Sequence, residues 1–154
     1  MGFHIKLESK IPALLARLEK LDETEVEVGF FEEDHYGPEN DNLPVATVAA
    51  YNEFGTRFTP ERPFMSDTFS EDMNQLYMAR SMKDVVERAV KGGTTSRLLK
   101  NLGEVSTELM KVSFQQYAAA GGISAATIKL KEGRDTPLID TGKMIESVKF
   151  QVHQ

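Results

Sequence analysis

The run Ala50-Tyr51-Asn52-Glu53-Phe54-Gly55-Thr56-Arg57-Phe58-Thr59-Pro60-Glu61-Arg62-Pro63-Phe64 constrains this chain more than any other stretch. It holds three of the nine Phe, two of the six Pro and one Gly. Pro44 suits the first turn of a helix, residues 45–54 read as a short helix, and Gly55 stops it. Residues that precede proline are pushed out of the helical region, so Thr59 and Arg62 predict an extended arm over 56–63. The arm delivers Phe64 into a following helix. Ala46, Ala49 and Ala50 leave one side of the short helix small enough for close packing. Glu53 or Glu61 is expected to pair with Arg62, either fixing the loop or setting register against a neighbour. Aromatic and Arg side chains are over-represented at interface hot spots, which places Phe58 at an interface and Phe64 either there or in the core. No catalytic group stands in the run, and its first reading is therefore assembly.

Upstream, Phe3, Ile5 and Leu7 alternate with polar residues as a strand does. Ser9 offers a helix cap before Ile11, Leu14, Leu15, Leu18 and Leu21, with Pro12 tolerated in the first turn. Val26, Val28 and Phe30 alternate again. Residues 32–42 form a polar loop with five acidic residues and Gly37-Pro38, expected to be mobile and solvated. Its Glu32, Glu33, Asp34 and His35 are consecutive and do not converge on one point, so no metal site is expected.

Downstream, a helix capped by Ser70 carries Met73, Leu76, Tyr77, Met82, Val85, Val86, Ala89 and Val90 until Gly92-Gly93. A second stripe, Leu98, Leu102, Val105, Leu109 and Val112, follows at intervals of four and three, as in a helix-pair seam. Gly103 interrupts it and permits a close helix crossing. Met65, Met73, Met78 and Met82 are read as adaptable core. Lys129, Lys131 and Arg134 make a basic cluster too small for a nucleic-acid site. A short helical turn at 143–146 precedes a last strand in which Val148, Phe150 and Val152 alternate with polar residues. The expected fold is α+β: a small sheet of three or four strands, including the N-terminal, second and C-terminal strands, packed against a pair of long helices.

At 154 residues, a single domain with an adequate core is expected. The absence of cysteine removes disulfides, thiolate metal sites and thiol catalysis. Apolar runs fall far short of the ~20 residues of a membrane span, and the N-terminus lacks a signal-peptide core, so a soluble protein folding in the cytoplasm is expected. Residues 1–60 hold five basic and twelve acidic side chains, and residues 61–154 hold thirteen and twelve. The acidic first part disfavours nucleic acid, because phosphate affinity is mostly cationic. It is either a solvated face or one side of a charge-complementary contact.

Asp140-Thr141-Gly142 matches the aspartic-protease triplet, but twelve residues after it cannot build the lobe and flap that chemistry requires. Asp140 or Thr141 is instead expected to cap the turn at 143–146. His4, His35 and His153 lack catalytic partners at recognisable spacing, and no phosphate-cradling or dinucleotide motif is present. No cofactor is expected. A small hydrolase acting through Asp140, and a binding module using the Leu98–Val112 seam, remain the readings from other classes.

Two blocks carry a resemblance. Ala50-Tyr51-Asn52-Glu53-Phe54-Gly55-Thr56 with Arg62-Pro63-Phe64 is similar to the central signature of tail-completion, or head–tail joining, proteins of tailed bacteriophages. That group includes the minor tail protein Z type and the phage virion morphogenesis proteins. Ala126-Thr127-Ile128-Lys129 and then Thr136-Pro137-Leu138-Ile139-Asp140-Thr141-Gly142-Lys143-Met144, with Ser147 and the closing strand, resemble its second block. Together they span about residue 45 to the C-terminus. The resemblance implies a non-enzymatic virion protein of the neck or tail, made in the host cytoplasm, forming a ring, a hexamer in such families. Its partners would be itself, tail-terminator or tail-tube proteins and head-connector proteins, with neither membrane nor specific nucleic acid among them. Tail-terminator and head-closure proteins are the neighbouring alternatives. The motif positions it implies for assembly are Tyr51, Asn52, Glu53, Phe54, Gly55, Thr56, Phe58, Arg62, Pro63, Phe64, Asp140, Thr141 and Gly142.

Overall fold

In chain order, the computed structural model has α1 (Ile11–Asp22), β1 (Glu25–Gly29), a 3-10 turn (Pro38–Asn40), α2 (Val45–Glu53), α3 (Phe64–Ser70), α4 (Asp72–Val90), α5 (Ser96–Ala119), α6 (Lys143–Glu146) and β2 (Lys149–His153). It describes residues 9–120 and 142–153. The strand expected at Phe3–Leu7 and the basic cluster at Lys129–Arg134 lie outside those residues, as do Asp140 and Thr141.

The expected α+β architecture is corrected. The described chain is mostly helical, and its sheet has two antiparallel strands rather than three or four, with Val26 opposite Val152 and Val28 opposite Phe150. Alternation marks each segment as extended but does not specify how many neighbours it has. Two strands about 4.8 Å apart make a ribbon no wider than one helix of about 10–12 Å. Here α5 packs against both strands. On the opposite face His153 Nε2 lies 2.9 Å from Glu27 Oε2.

The core joins Val45 and Ala49 of α2, Phe64 of α3, Met110 and Phe114 of α5, Met144 of α6 and Val148. Phe64 stacks edge-on against Phe30 and Phe114, with ring centroids 6.1 and 5.1 Å away. Such pairs add to the burial of their apolar area. The helix α5 presents Leu99, Leu102, Gly103, Ser106, Thr107, Met110, Phe114 and Ala118 to the interior. The expected seam is thus displaced. Leu98, Val105 and Leu109 are half-buried flanks, and Val112 is 50% exposed. Leu102 alone of that seam is buried.

Gly103 does permit a close approach, but by a strand residue. A Cβ there would lie 2.6 Å from Phe150 Cγ, inside van der Waals contact. Gly103→Ala is therefore expected to destabilise by about 1–3 kcal/mol through overpacking. Urea denaturation checks this, and Phe150→Leu in the same chain should recover part of the loss.

Other expectations also change. Ser70 ends α3, and Glu71 occupies the cap position of α4. Met73 and Met82 are exposed, and the buried methionines are Met110 and Met144. Helix α1 has no buried residue, and its Ile11, Leu15 and Leu18 are exposed. It is tied to the end of α4 by Arg17, whose guanidinium donates to the Val90 carbonyl at 3.0 Å. The loop at 32–42, expected to be mobile, is folded back on itself together with Leu43 and Pro44. His35 bridges to Pro44, the Tyr36 N–H donates to the Leu43 carbonyl at 2.9 Å, and Asp41 and Asn42 take positive φ. Two signals hold as read: Gly92 closes α4 at φ +78°, and Pro12 sits in the first turn of α1. No described helix is long and apolar enough to cross a membrane.

Candidate assembly surface

The Tyr51–Phe64 stretch divides into a buried scaffold and exposed aromatics. Helix α3 begins after Pro63, where no Ser, Thr, Asp or Asn stands to accept its first N–H groups. Glu53, the last residue of α2, supplies the acceptor. Its Oε2 accepts the Met65 N–H at 2.9 Å, and its Oε1 accepts the Ser66 N–H at 2.8 Å and the Ser66 hydroxyl at 2.6 Å. The carboxylate is only 3% exposed as part of its residue. Negative charge at a helix N-terminus is favourable, and charge-assisted bonds are stronger than neutral ones. The signal was present in the sequence, since Arg62-Pro63 before a helix leaves orphan donors that need an acceptor from elsewhere.

The neighbouring residues fix the turn that brings Glu53 to α3. Asn52 accepts the Arg62 N–H through its carbonyl at 2.7 Å and donates from its side chain to the Val48 carbonyl at 2.8 Å. Gly55 has φ +69°, and a Cβ there would lie 2.9 Å from the Glu61 backbone nitrogen. Glycine answers both demands. Arg62 is buried at 7% exposure, with a guanidinium nitrogen 3.4 Å from the Pro60 carbonyl, and burial lowers its pKa. Phe64 is fully buried, and its carbonyl accepts from the Ser113 hydroxyl at 2.9 Å and the Thr68 hydroxyl at 2.6 Å. Arg62 and Phe64 therefore face the interior and support the turn. Pro63, half-buried, leads into α3.

The arm over 56–63 is not extended throughout. Thr56 closes a turn: its N–H donates to the Thr59 carbonyl at 2.8 Å, and its hydroxyl accepts the Phe58 and Thr59 N–H groups at 3.1 and 3.0 Å. This turn holds Phe58 outward at 87% exposure, with the Arg57 guanidinium 5.5 Å from its ring centre. Phe54 is 75% exposed and Tyr51 is half exposed. Next to them, Phe30, Ala46, Ala49, Ala50, Phe54 and Met65 line an apolar groove of about 280 Å³, with Glu53 and Ser66 as its polar lining residues. The sequence marked the alanines as small, yet nothing local showed that a groove would stay open above them.

Gly142 takes φ +80° ahead of α6 and makes no side-chain cap bond. The structure thus brings Tyr51 to Phe64 together as one unit and leaves the Asp140–Thr141 part outside the described residues. Among those residues no group of His, Asp and Glu is placed to hold a metal ion.

Beside this unit, the Tyr117 hydroxyl donates to Asp67 Oδ2. That bond first, then burial and the charges of Asp67, Glu53 and Glu61, push the phenol up to about 12. The unfolded phenol titrates near 10. Because the folded value is raised, the stabilisation is intact below about pH 10 and is lost as pH rises towards 12. Spectrophotometric titration should show one of the four tyrosines ionising late, and Tyr117→Phe should remove that phase.

Comparison with family models, with characterised proteins and with solved structures found no match.

Proposed function

We infer that the chain is a structural virion protein of a tailed bacteriophage or prophage, a tail-completion or neck subunit. It assembles as a ring at the head-proximal end of the tail and helps join tail to capsid. The two motif blocks carry the family reading. The observation that supports an assembly role is the division within the first block. Glu53, Gly55, Arg62 and Phe64 build a rigid scaffold, and that scaffold presents Tyr51, Phe54 and Phe58 to solvent. Large aromatics held outward by a bonded turn suit a contact whose geometry is set before the partner arrives.

A ring requires two complementary surfaces per subunit, repeated until the rotation closes. The uneven charge of the chain is compatible with that. A phage deleted for this gene should accumulate separate heads and tails, complemented by the wild-type gene. Fully joined, infectious particles from the deletion would sink the reading. Density for the subunit located on the tail tube or inside the capsid connector would point instead to a terminator or head-closure role.

A further inference from the structure

We propose that the Arg57–Phe58 tip of one molecule seats in the apolar groove on α2 of a second copy of this chain. The proposal rests on reading the protein as a self-assembling subunit and names the contact that assembly uses. Three observations carry it.

The first is shape. A cavity of about 150 Å³ holds a benzene ring, and the groove between Phe30, Ala46, Ala50, Phe54 and Met65 offers about 280 Å³. Its own Phe58 does not fill it. The Thr56–Thr59 turn and the contact of Gly55 with Glu61 hold the ring outward at 87% exposure. A ring from another molecule has no such restraint.

The second is charge. Residues 21–79 hold fourteen acidic side chains and only two basic ones, Arg57 and Arg62. Arg62 is buried, so Arg57 is the single exposed cation of that stretch, and it lies against the exposed ring. Glu53 is the one charged side chain that lines the groove, and it is acidic. Tip and groove are thus opposite in charge as well as in shape, and both belong to the same chain.

The third is the nature of the tip. An exposed aromatic beside an Arg is a pairing that protein interfaces enrich. With one tip and one groove per molecule, contacts either close reciprocally in a dimer or repeat from chain to chain. The ring reading selects repetition.

The test uses the full chain, which contains no cysteine. Thr59→Cys and Ala50→Cys chains, both of which keep Phe58, are mixed and treated with a short bismaleimide. The mixed product should dominate over both self-products. In sedimentation velocity, Phe58→Ala should weaken self-association at least about thirtyfold, the usual loss at a hot spot. Ala50→Trp, which fills the groove, should do the same. Mixing those two variants should yield dimers and nothing larger, because one keeps its groove and the other its tip. Arg57→Gln should weaken association and remove its salt dependence, and Arg57→Glu should invert that dependence. Circular dichroism confirms that each variant is folded, and Ala46→Glu replaces Ala50→Trp should the latter unfold. Wild-type assembly by Phe58→Ala, predominant Thr59→Cys self-products, or a wild type monomeric at every concentration would each overturn the contact. Assembly that persists in Phe58→Ala leaves the ring reading standing with a different interface, whereas joined particles from the gene deletion remove that reading itself.

Discussion

Phe64→Ala is expected to cost about 3–5 kcal/mol, as for other fully buried aromatics cut back to a methyl group. The ring is inaccessible to solvent and stands edge-on to Phe30 and Phe114, so its removal leaves a cavity where three chain segments meet. A chain of this size loses about 2–4 °C in Tm per kcal/mol, which sets the fall at roughly 6–20 °C. Phe64→Leu keeps most of the apolar volume and should cost under about 1.5 kcal/mol if the neighbours repack. Differential scanning calorimetry on the pair separates cavity formation from loss of the aromatic contacts. A loss below about 1 kcal/mol for the alanine variant would show that the site collapses freely and that Phe64 is not central to the core.

The second large effect belongs to Glu53. Glu53→Ala removes the acceptor for the Met65 and Ser66 N–H groups and for the Ser66 hydroxyl. Leaving two shielded donors unpaired costs about 2–5 kcal/mol in all. Glu53→Gln keeps one oxygen and places an amide against a donor, so an intermediate loss is expected. The damage has a location as well as a size. Amide exchange should accelerate first at the start of α3, before global unfolding, because the cap serves that turn alone. Equal stability of wild type and Glu53→Ala would refute the cap. If the tip contact proposed above is correct, the Ala variant should also weaken self-association, since α3 forms one side of the groove.

These two residues show what kind of information the sequence held. Phe64 was expected either in the core or at an interface, and a pattern of residues around it could not choose. Its carbonyl bonds and ring contacts involve Phe30, Thr68, Ser113 and Phe114. Most of these are far along the chain. Glu53 or Glu61 was expected to pair with Arg62, the opposite charge nearby in sequence. The fold sets the Glu53 carboxylate against a helix start twelve residues on, a role that charge pairing does not suggest.

Helix α5 makes the same point about faces. The most regular apolar stripe, Leu98 to Val112, is half exposed, whereas the buried face includes Gly103, Ser106 and Thr107. Hydrophobic periodicity ranks faces by their own side chains. Burial also depends on what arrives opposite, here the Phe150 ring, which requires a residue without Cβ. The same limit explains the sheet. Alternation at 26–30 and 148–152 correctly marked two extended segments, but strand number is a property of what covers the ribbon.

By itself the sequence determined the local features. Gly55 and Gly92 stop helices because their φ values are ones that side chains disfavour. Pro12 opens α1 because the missing N–H would have been unpaired there anyway. The valines of β1 and β2 define which face turns inward. Such signals act through one residue's own torsions or its immediate neighbours. Only the tertiary structure decided that Glu53 caps α3, that Arg62 is buried, and that Phe58 stands in solvent beside an open groove. Each of these is set by atoms brought together from distant parts of the chain, where shielding from water and the geometry of hydrogen bonds exist only after the elements have packed.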